Sequence, residues 1–159
     1  MIGSFAVGKS SLVKRFVHEA FTGEYYTTVG VKIDRKTIEM DGQAIDFILW
    51  DLNGEDAFQS VQMSYLRGMH GYFLVIDGTR KATLDVAIQL DHKIQEAFGP
   101  TPRICALNKK DLGAEWELDE ATITSLCLPE RPVIHTSASS GEGVETLFHQ
   151  MGSLLLSDS

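Results

Sequence analysis

Two cysteines in 159 residues, Cys105 and Cys127, are too few for a disulfide framework or a four-thiolate zinc site. The four prolines mark no linker. No apolar run approaches the ~18–20 residues of a membrane span. The first residues lack the basic-then-apolar pattern of a signal peptide. The stretch Leu154-Leu155-Leu156-Ser157-Asp158-Ser159 has no cysteine to lipidate, so no direct lipid anchor is expected. Positive charge is also scarce. Lys+Arg 14 against Asp+Glu 22 leaves a formal charge of -8, which argues against a nucleic-acid or membrane-surface role, since either needs a basic face. Reduced thiols and no targeting signal favour a cytoplasmic location. What remains is ordinary for one globular domain over residues 1–159: 43% hydrophobic, 23% charged, with no repeat or low-complexity tract.

Two periodicities alternate along the chain. Leu12, Val13, Phe16, Val17, Ala20 and Phe21 fall at helical spacing, predicting a helix over Ser10–Phe21. Val31–Ile38 reads as a strand, Asp41-Gly42 as a hairpin turn, and Ile45–Leu52 as its antiparallel partner. Three near-continuous apolar runs, 71–77, 103–108 and 132–136, have the look of strands buried on both faces. Helical segments are expected near Leu84–Phe98, Asp119–Cys127 and Val144–Leu156. Strands alternating with helices imply a three-layer α/β fold around a mostly parallel sheet. Ligands of such sheets sit beyond the carboxyl ends of the strands.

Four motifs stand at those ends. Gly3-Ser4-Phe5-Ala6-Val7-Gly8-Lys9-Ser10 fits G-x-x-x-x-G-K-[ST], the phosphate-binding P-loop. Its glycines let backbone N–H groups wrap an anion, and the helix behind aims its positive end there. Lys9 supplies a charge for the phosphates and Ser10 a hydroxyl for Mg²⁺. Asp51-Leu52-Asn53-Gly54 follows the hairpin: Asp51 suits the Mg²⁺ shell, and Gly54 can offer its N–H to a terminal phosphate. Asn108-Lys109-Lys110-Asp111 follows the 103–108 run. A carboxylate here accepts both N1–H and the 2-amino group of guanine, a donor pair that adenine lacks. Finally, His135 to Gly143, with Ser137, Ala138 and Ser139, can close over a base with backbone amides.

With these motifs in this order, the chain resembles a Ras-superfamily small GTPase. It is most similar to the Rab-like branch, through Tyr26-Thr27-Thr28-Val29-Gly30-Val31, Trp50-Asp51 and Tyr65-Leu66-Arg67-Gly68, and some bacterial small GTPases of that branch look similar around Phe5-Ala6-Val7-Gly8-Lys9-Ser10 and Trp50-Asp51-Leu52. The resemblance implies a P-loop NTPase fold of six strands, five parallel and one antiparallel, with five helices. It implies GTP/GDP and Mg²⁺ as ligands, with nucleotide contacts from Phe5 to Ser11, Phe21, Tyr25, Thr28, Gly54, Asn108, Lys109, Asp111 and Ser137 to Ser139. Ser10, Thr28 and Asp51 would hold the metal, and Lys9, Gly54 and the residue after it would serve catalysis. Effectors and regulators would meet switch loops at about 22–31 and 52–68.

Three departures qualify that expectation. Glu55 stands where the family has its water-orienting Gln, and a carboxylate lacks the amide donor. Phe5 puts a bulky ring at a phosphate-loop position held by small residues in many relatives. Ser139 replaces the Lys of the family's Ser-Ala-Lys loop. In addition, only Met1 and Ile2 precede Gly3, so the strand feeding the P-loop is expected to be truncated. The readings are therefore a slow GTPase switch, a pseudo-GTPase that binds without useful turnover, or a small-molecule phosphotransferase, which Asn108–Asp111 and the absence of an Arg-rich lid oppose. The five histidines show no metal-ligand spacing, Cys105 is expected in the core, and Trp116 is expected half-exposed, open to a partner.

Overall fold

Asp41 and Gly42 both take positive φ, 51° and 77°, and turn the chain back on itself between β1 (Val31–Met40) and β2 (Gln43–Leu52). The computed structural model describes residues 1–19, 30–52, 60–126 and 131–158. In it the hairpin runs in full register from Val31 opposite Leu52 to Met40 opposite Gln43. Period-2 alternation gives β2 two faces: Phe47 and Leu49 are buried, while Ile48 and Trp50 point to solvent.

The three apolar runs form β3 (Tyr72–Asp77), β4 (Arg103–Asn108) and β5 (Val133–His135), a parallel sheet in that order. Every residue of β3 is buried, because both of its faces are covered. Phe73 and Val75 face the core under α1 (Lys9–His18) and α5 (Val144–Ser157). Tyr72 and Leu74 face Leu90 and Ile94 of α3 (Ala82–Phe98), and Ile76 faces Leu84 and Ala87 of the same helix. α2 (Ser60–Tyr65) and α4 (Glu120–Leu126) complete the five α-helices among the described residues. The centre of the first core is aromatic: Phe16 of α1 and Phe148 of α5 stack with centroids 3.7 Å apart, and Phe47 meets both edge-on. Truncating a buried ring of this kind costs about 3–5 kcal/mol.

The expected six-stranded sheet is not what forms among the described residues. There are two hydrogen-bonded sheets, β1-β2 and β3-β4-β5. Between them stand only Met1 and Ile2. Ile2 bridges Leu74, donating to Phe73 O at 2.9 Å and accepting from Val75 N–H at 2.8 Å, while the Met1 amine donates to Trp50 O at 2.9 Å. These bonds tie the two sheets together through Met1 and Ile2. The segment delivers Gly3 to the side of β3, close against Val75. Among the described residues, no helix is long and apolar enough to cross a membrane.

Candidate nucleotide site

The loop 3–8 enters α1 through two tight places. A Cβ on Gly3 would sit 2.4 Å from Val75 O, and Gly8, at φ 101°, would put one 2.2 Å from Asn108 Nδ2. Only glycine fits either position. Ala6 also adopts a left-handed conformation, φ 57°. The loop thus folds around its own concavity. Lys9 lies buried within it, and its ammonium donates to Gly3 O at 3.0 Å and Ser4 O at 2.8 Å. Burial pushes the Lys9 pKa down to about 8, opposed by the nearby Asp51 charge and reinforced by that of Arg80.

Ser10, the first-turn hydroxyl of α1, donates to Asp51 Oδ2 at the end of β2. Asp51 is 1% exposed, and its Oδ1 has no hydrogen-bond partner among the described residues. An orphaned buried carboxylate oxygen beside a hydroxyl fits a hard divalent cation. The described residues offer no cluster of three or more acidic, His or Cys ligands. That is the donor set expected where Mg²⁺ is bound by one carboxylate together with substrate phosphates and water.

On the other side of the loop, Asn108 joins three segments. Its Nδ2 donates to Val7 O at 3.0 Å, and its Oδ1 accepts from Thr136 Oγ1 at 3.2 Å and Ala138 N–H at 3.3 Å. With the side chain buried and its amide engaged at both ends, Asn108 holds these loops together. Asp111 is exposed, and one of its oxygens accepts from Ser137 Oγ at 2.8 Å, which fixes the carboxylate's direction. Ser137 and Ala138 are buried and Ser139 is exposed. Arg15 of α1 grips this loop from behind, donating through Nε to Ala138 O at 2.8 Å and through Nη2 to Ser139 O.

Lys109 takes a left-handed turn, φ 71°, braced by Trp116 Nε1, which donates to Lys109 O at 2.8 Å. The Trp116 ring stacks on His135 at 5.5 Å and lies over Gly78, where an added Cβ would meet it at 2.2 Å. Trp116 is therefore half-buried intramolecular support. The stretch that follows, expected to start a helix, works as caps. Asp119 accepts from Thr122 N–H at 2.7 Å at the start of α4, and the Glu117 carboxylate accepts from Lys81 N–H at the start of α3, also at 2.7 Å.

Asp77, at the end of β3, carries no motif signal in the sequence. It is fully buried, with Oδ2 paired to Arg80 Nε at 2.9 Å and Lys109 Nζ at 2.7 Å. Its Oδ1 accepts from Thr79 N–H and Oγ1. These donors hold the carboxyl below its usual range despite the desolvation that raises it.

The structure thus brings Phe5 to Ser11, Asp51, Asn108 to Asp111 and Ser137 to Ser139 to one edge. Phe5 is 42% exposed on the lip of the loop. Phe21, Tyr25, Thr28, Gly54 and Glu55 lie outside the described residues, as does Cys127, while Cys105 is half-buried against the core as expected.

The family model for the Ras family matches residues 1–157. A protein named Ras-related protein Rab-1A, from Dictyostelium discoideum, is 33% identical over 153 residues, which covers 95% of this chain and 76% of the relative.

Proposed function

This chain belongs to the Ras family, as a Rab-like small GTPase, and on that premise we propose a guanine-nucleotide switch that hydrolyses GTP slowly in the presence of Mg²⁺. The observation that carries this reading is the three-way tie at Asn108. It fastens the phosphate loop (Val7) to the loop behind a base (Thr136, Ala138), and Asp111 sits three residues further on. A phosphate cradle and a carboxylate suited to guanine are thereby held at a fixed separation.

In this reading the Lys9 ammonium leaves the Gly3 and Ser4 carbonyls for the β- and γ-phosphates. Ser10 and Asp51 hold Mg²⁺ with Thr28. The ion supplies neutralisation of charge on the phosphate oxygens. Asp111 accepts from the guanine N1–H and 2-amino group, and Ser137 to Ser139 close over the base. Phe21 packs on the guanine, Tyr25 covers the phosphates, and Gly54 offers its N–H to the γ-phosphate. Glu55 stands where the attacking water is positioned, without an amide donor and with added negative charge, so turnover is slow. Segments 22–31 and 52–68 respond to the γ-phosphate and meet effectors and regulators. Ile33, Ile48, Trp50 and Tyr65 expose apolar surface that suits a protein partner.

A second reading, a pseudo-GTPase that binds nucleotide and partners without useful turnover, is favoured by the Phe5 ring on the phosphate loop together with Glu55. Acid release of the nucleotide that co-purifies with the protein tests the binding claim: guanine nucleotide supports it, and adenine nucleotide overturns it. Single-turnover phosphate release then separates slow hydrolysis from none.

A further inference from the structure

Two cations from opposite halves of the cradle converge on one buried oxygen. Arg80 Nε and Lys109 Nζ lie 2.9 and 2.7 Å from Asp77 Oδ2. Thr79 saturates Oδ1 through its N–H at 2.9 Å and its hydroxyl at 2.6 Å. The carboxylate is fully buried, so its charge is tolerable only because it is paired, and removing its charge would strand two cations. Lys109 belongs to the base-reading turn. Arg80 reaches the other way, its Nη2 donating to Phe5 O at 2.8 Å.

That last contact falls on a particular peptide unit. Phe5 O belongs to the bond between Phe5 and Ala6, and Ala6 is the non-glycine residue of the loop at φ 57°. No peptide bond here is cis, so the Ala6 N–H points opposite to the carbonyl. Holding the carbonyl outward on Arg80 turns the Ala6 N–H inward, toward the concavity in which Lys9 lies. Arg80's charge is felt there too, as one of the influences acting on Lys9.

We propose that Asp77 and Arg80 are positioning residues for nucleotide binding. Arg80 sets the Phe5–Ala6 peptide so that an N–H faces the phosphates. Asp77 anchors both Arg80 and Lys109, so one buried carboxylate sets the phosphate loop and the base-reading turn together. The inference rests on the guanine-nucleotide reading above and adds two residues to it. Neither contacts nucleotide directly: each acts through the backbone or side chain it holds.

The experiment measures GDP, IDP and GMP affinities by competition against a fluorescent GDP. The proteins are the wild type, Arg80→Met, Arg80→Lys, Asp77→Asn and the Asp77→Asn/Arg80→Met double variant, each with its melting temperature. Arg80→Met is expected to weaken GDP about tenfold, the size of one charge-assisted hydrogen bond. It should leave GMP and the GDP-to-IDP ratio near wild type. Arg80→Lys, which lacks the two-pronged reach, should recover only part of the loss. Asp77→Asn should weaken GDP further and also shrink the GDP-to-IDP ratio, because the Lys109 turn loosens. The double variant should be no worse than Asp77→Asn, since both act through one chain of contacts. Equal losses of GMP and GDP in Arg80→Met, or unchanged ratios in Asp77→Asn, would overturn the proposal. Should Asp77→Asn fail to fold, half-exposed Arg80 decides the matter alone. A wild type that does not bind GDP would overturn the functional reading itself, which separates that failure from failure of this inference.

Discussion

The two halves of the cradle are finished to different degrees. On the base side, polar groups are matched with one another: Asn108 with Val7, Thr136 and Ala138, Asp111 with Ser137, Arg15 with Ala138 and Ser139, and Trp116 with Lys109. On the phosphate side, the groups lean on stand-ins. Lys9 donates to carbonyls of its own loop, Ser10 to Asp51, and Asp51 Oδ1 stays buried without a partner among the described residues. A group already satisfied by protein is pre-organised and adds selectivity. A group that exchanges a poor partner for a good one adds affinity. The base half should therefore govern which nucleotide binds, and the phosphate half how tightly it binds and how it depends on pH and metal.

The largest expected effect lies on the phosphate side. Lys9→Ala removes the one buried ammonium in the loop, and GDP affinity should fall by about 10²–10³-fold, two charge-assisted contacts at once. Isothermal titration checks this, and a loss below tenfold would dissolve the proposed division between halves. Next is Asp111→Asn on the base side. GTP affinity should drop about a hundredfold while XTP gains, because the 2-oxo group of xanthine accepts where guanine donates. If both nucleotides weaken equally, Asp111 is supporting the loop and not reading the base.

Glu55→Gln comes third. Restoring an amide donor at the water-positioning place should raise single-turnover hydrolysis about tenfold, equivalent to about 1.4 kcal/mol of barrier. A fall in rate would make Glu55 a working base, and wild-type turnover would then decline as pH drops through its carboxyl pKa.

The smallest effect is a pH dependence whose sign differs between affinity and stability. Burial lowers Lys9 from 10.5 to about 8. Phosphate binding favours the charged form, so GDP affinity should fall several-fold as pH rises through about 8. Stability of the nucleotide-free protein should respond oppositely. Between about 8 and 10.5 the unfolded chain holds the Lys9 proton more tightly than the folded one, so this residue's contribution rises with pH. Lys9→Met should remove the first trend, and a wild-type affinity that is flat across this range would contradict it.

Much of this was legible because it is local. The spacing from Gly3 to Ser10, the Asp41-Gly42 turn and the apolar runs at 71–77 and 103–108 each announce themselves within ten residues. Helix ends were close in places, with Leu84–Phe98 found as Ala82–Phe98, whereas the helix expected over Ser10–Phe21 stops at His18, where Glu19 turns left-handed at φ 53°. What stayed hidden is long-range. Asp77 reads as an ordinary strand-end residue until Lys109 is brought beside it, and Arg80 meets Phe5 across 75 positions. The commitment of Asn108 to Val7 spans 101 positions. Trp116 looked half-exposed, which it is, but its indole N–H and the flat surface over Gly78 give it a role inside the molecule. The resemblance promised one sheet of six strands. Among the described residues hydrogen bonding forms two, with Ile2 joined to Leu74 by a single bridge.

The most direct test is displacement of a bound fluorescent GDP by GTP, GDP and ATP, with and without a Mg²⁺ chelator. The expected result is displacement by GTP and GDP, discrimination against ATP of about 10³-fold or more because adenine offers the Asp111 carboxylate no N–H donor pair, and faster nucleotide release on chelation. ATP competing as well as GTP, with release indifferent to Mg²⁺, would contradict both the guanine site and the metal role of Ser10 and Asp51.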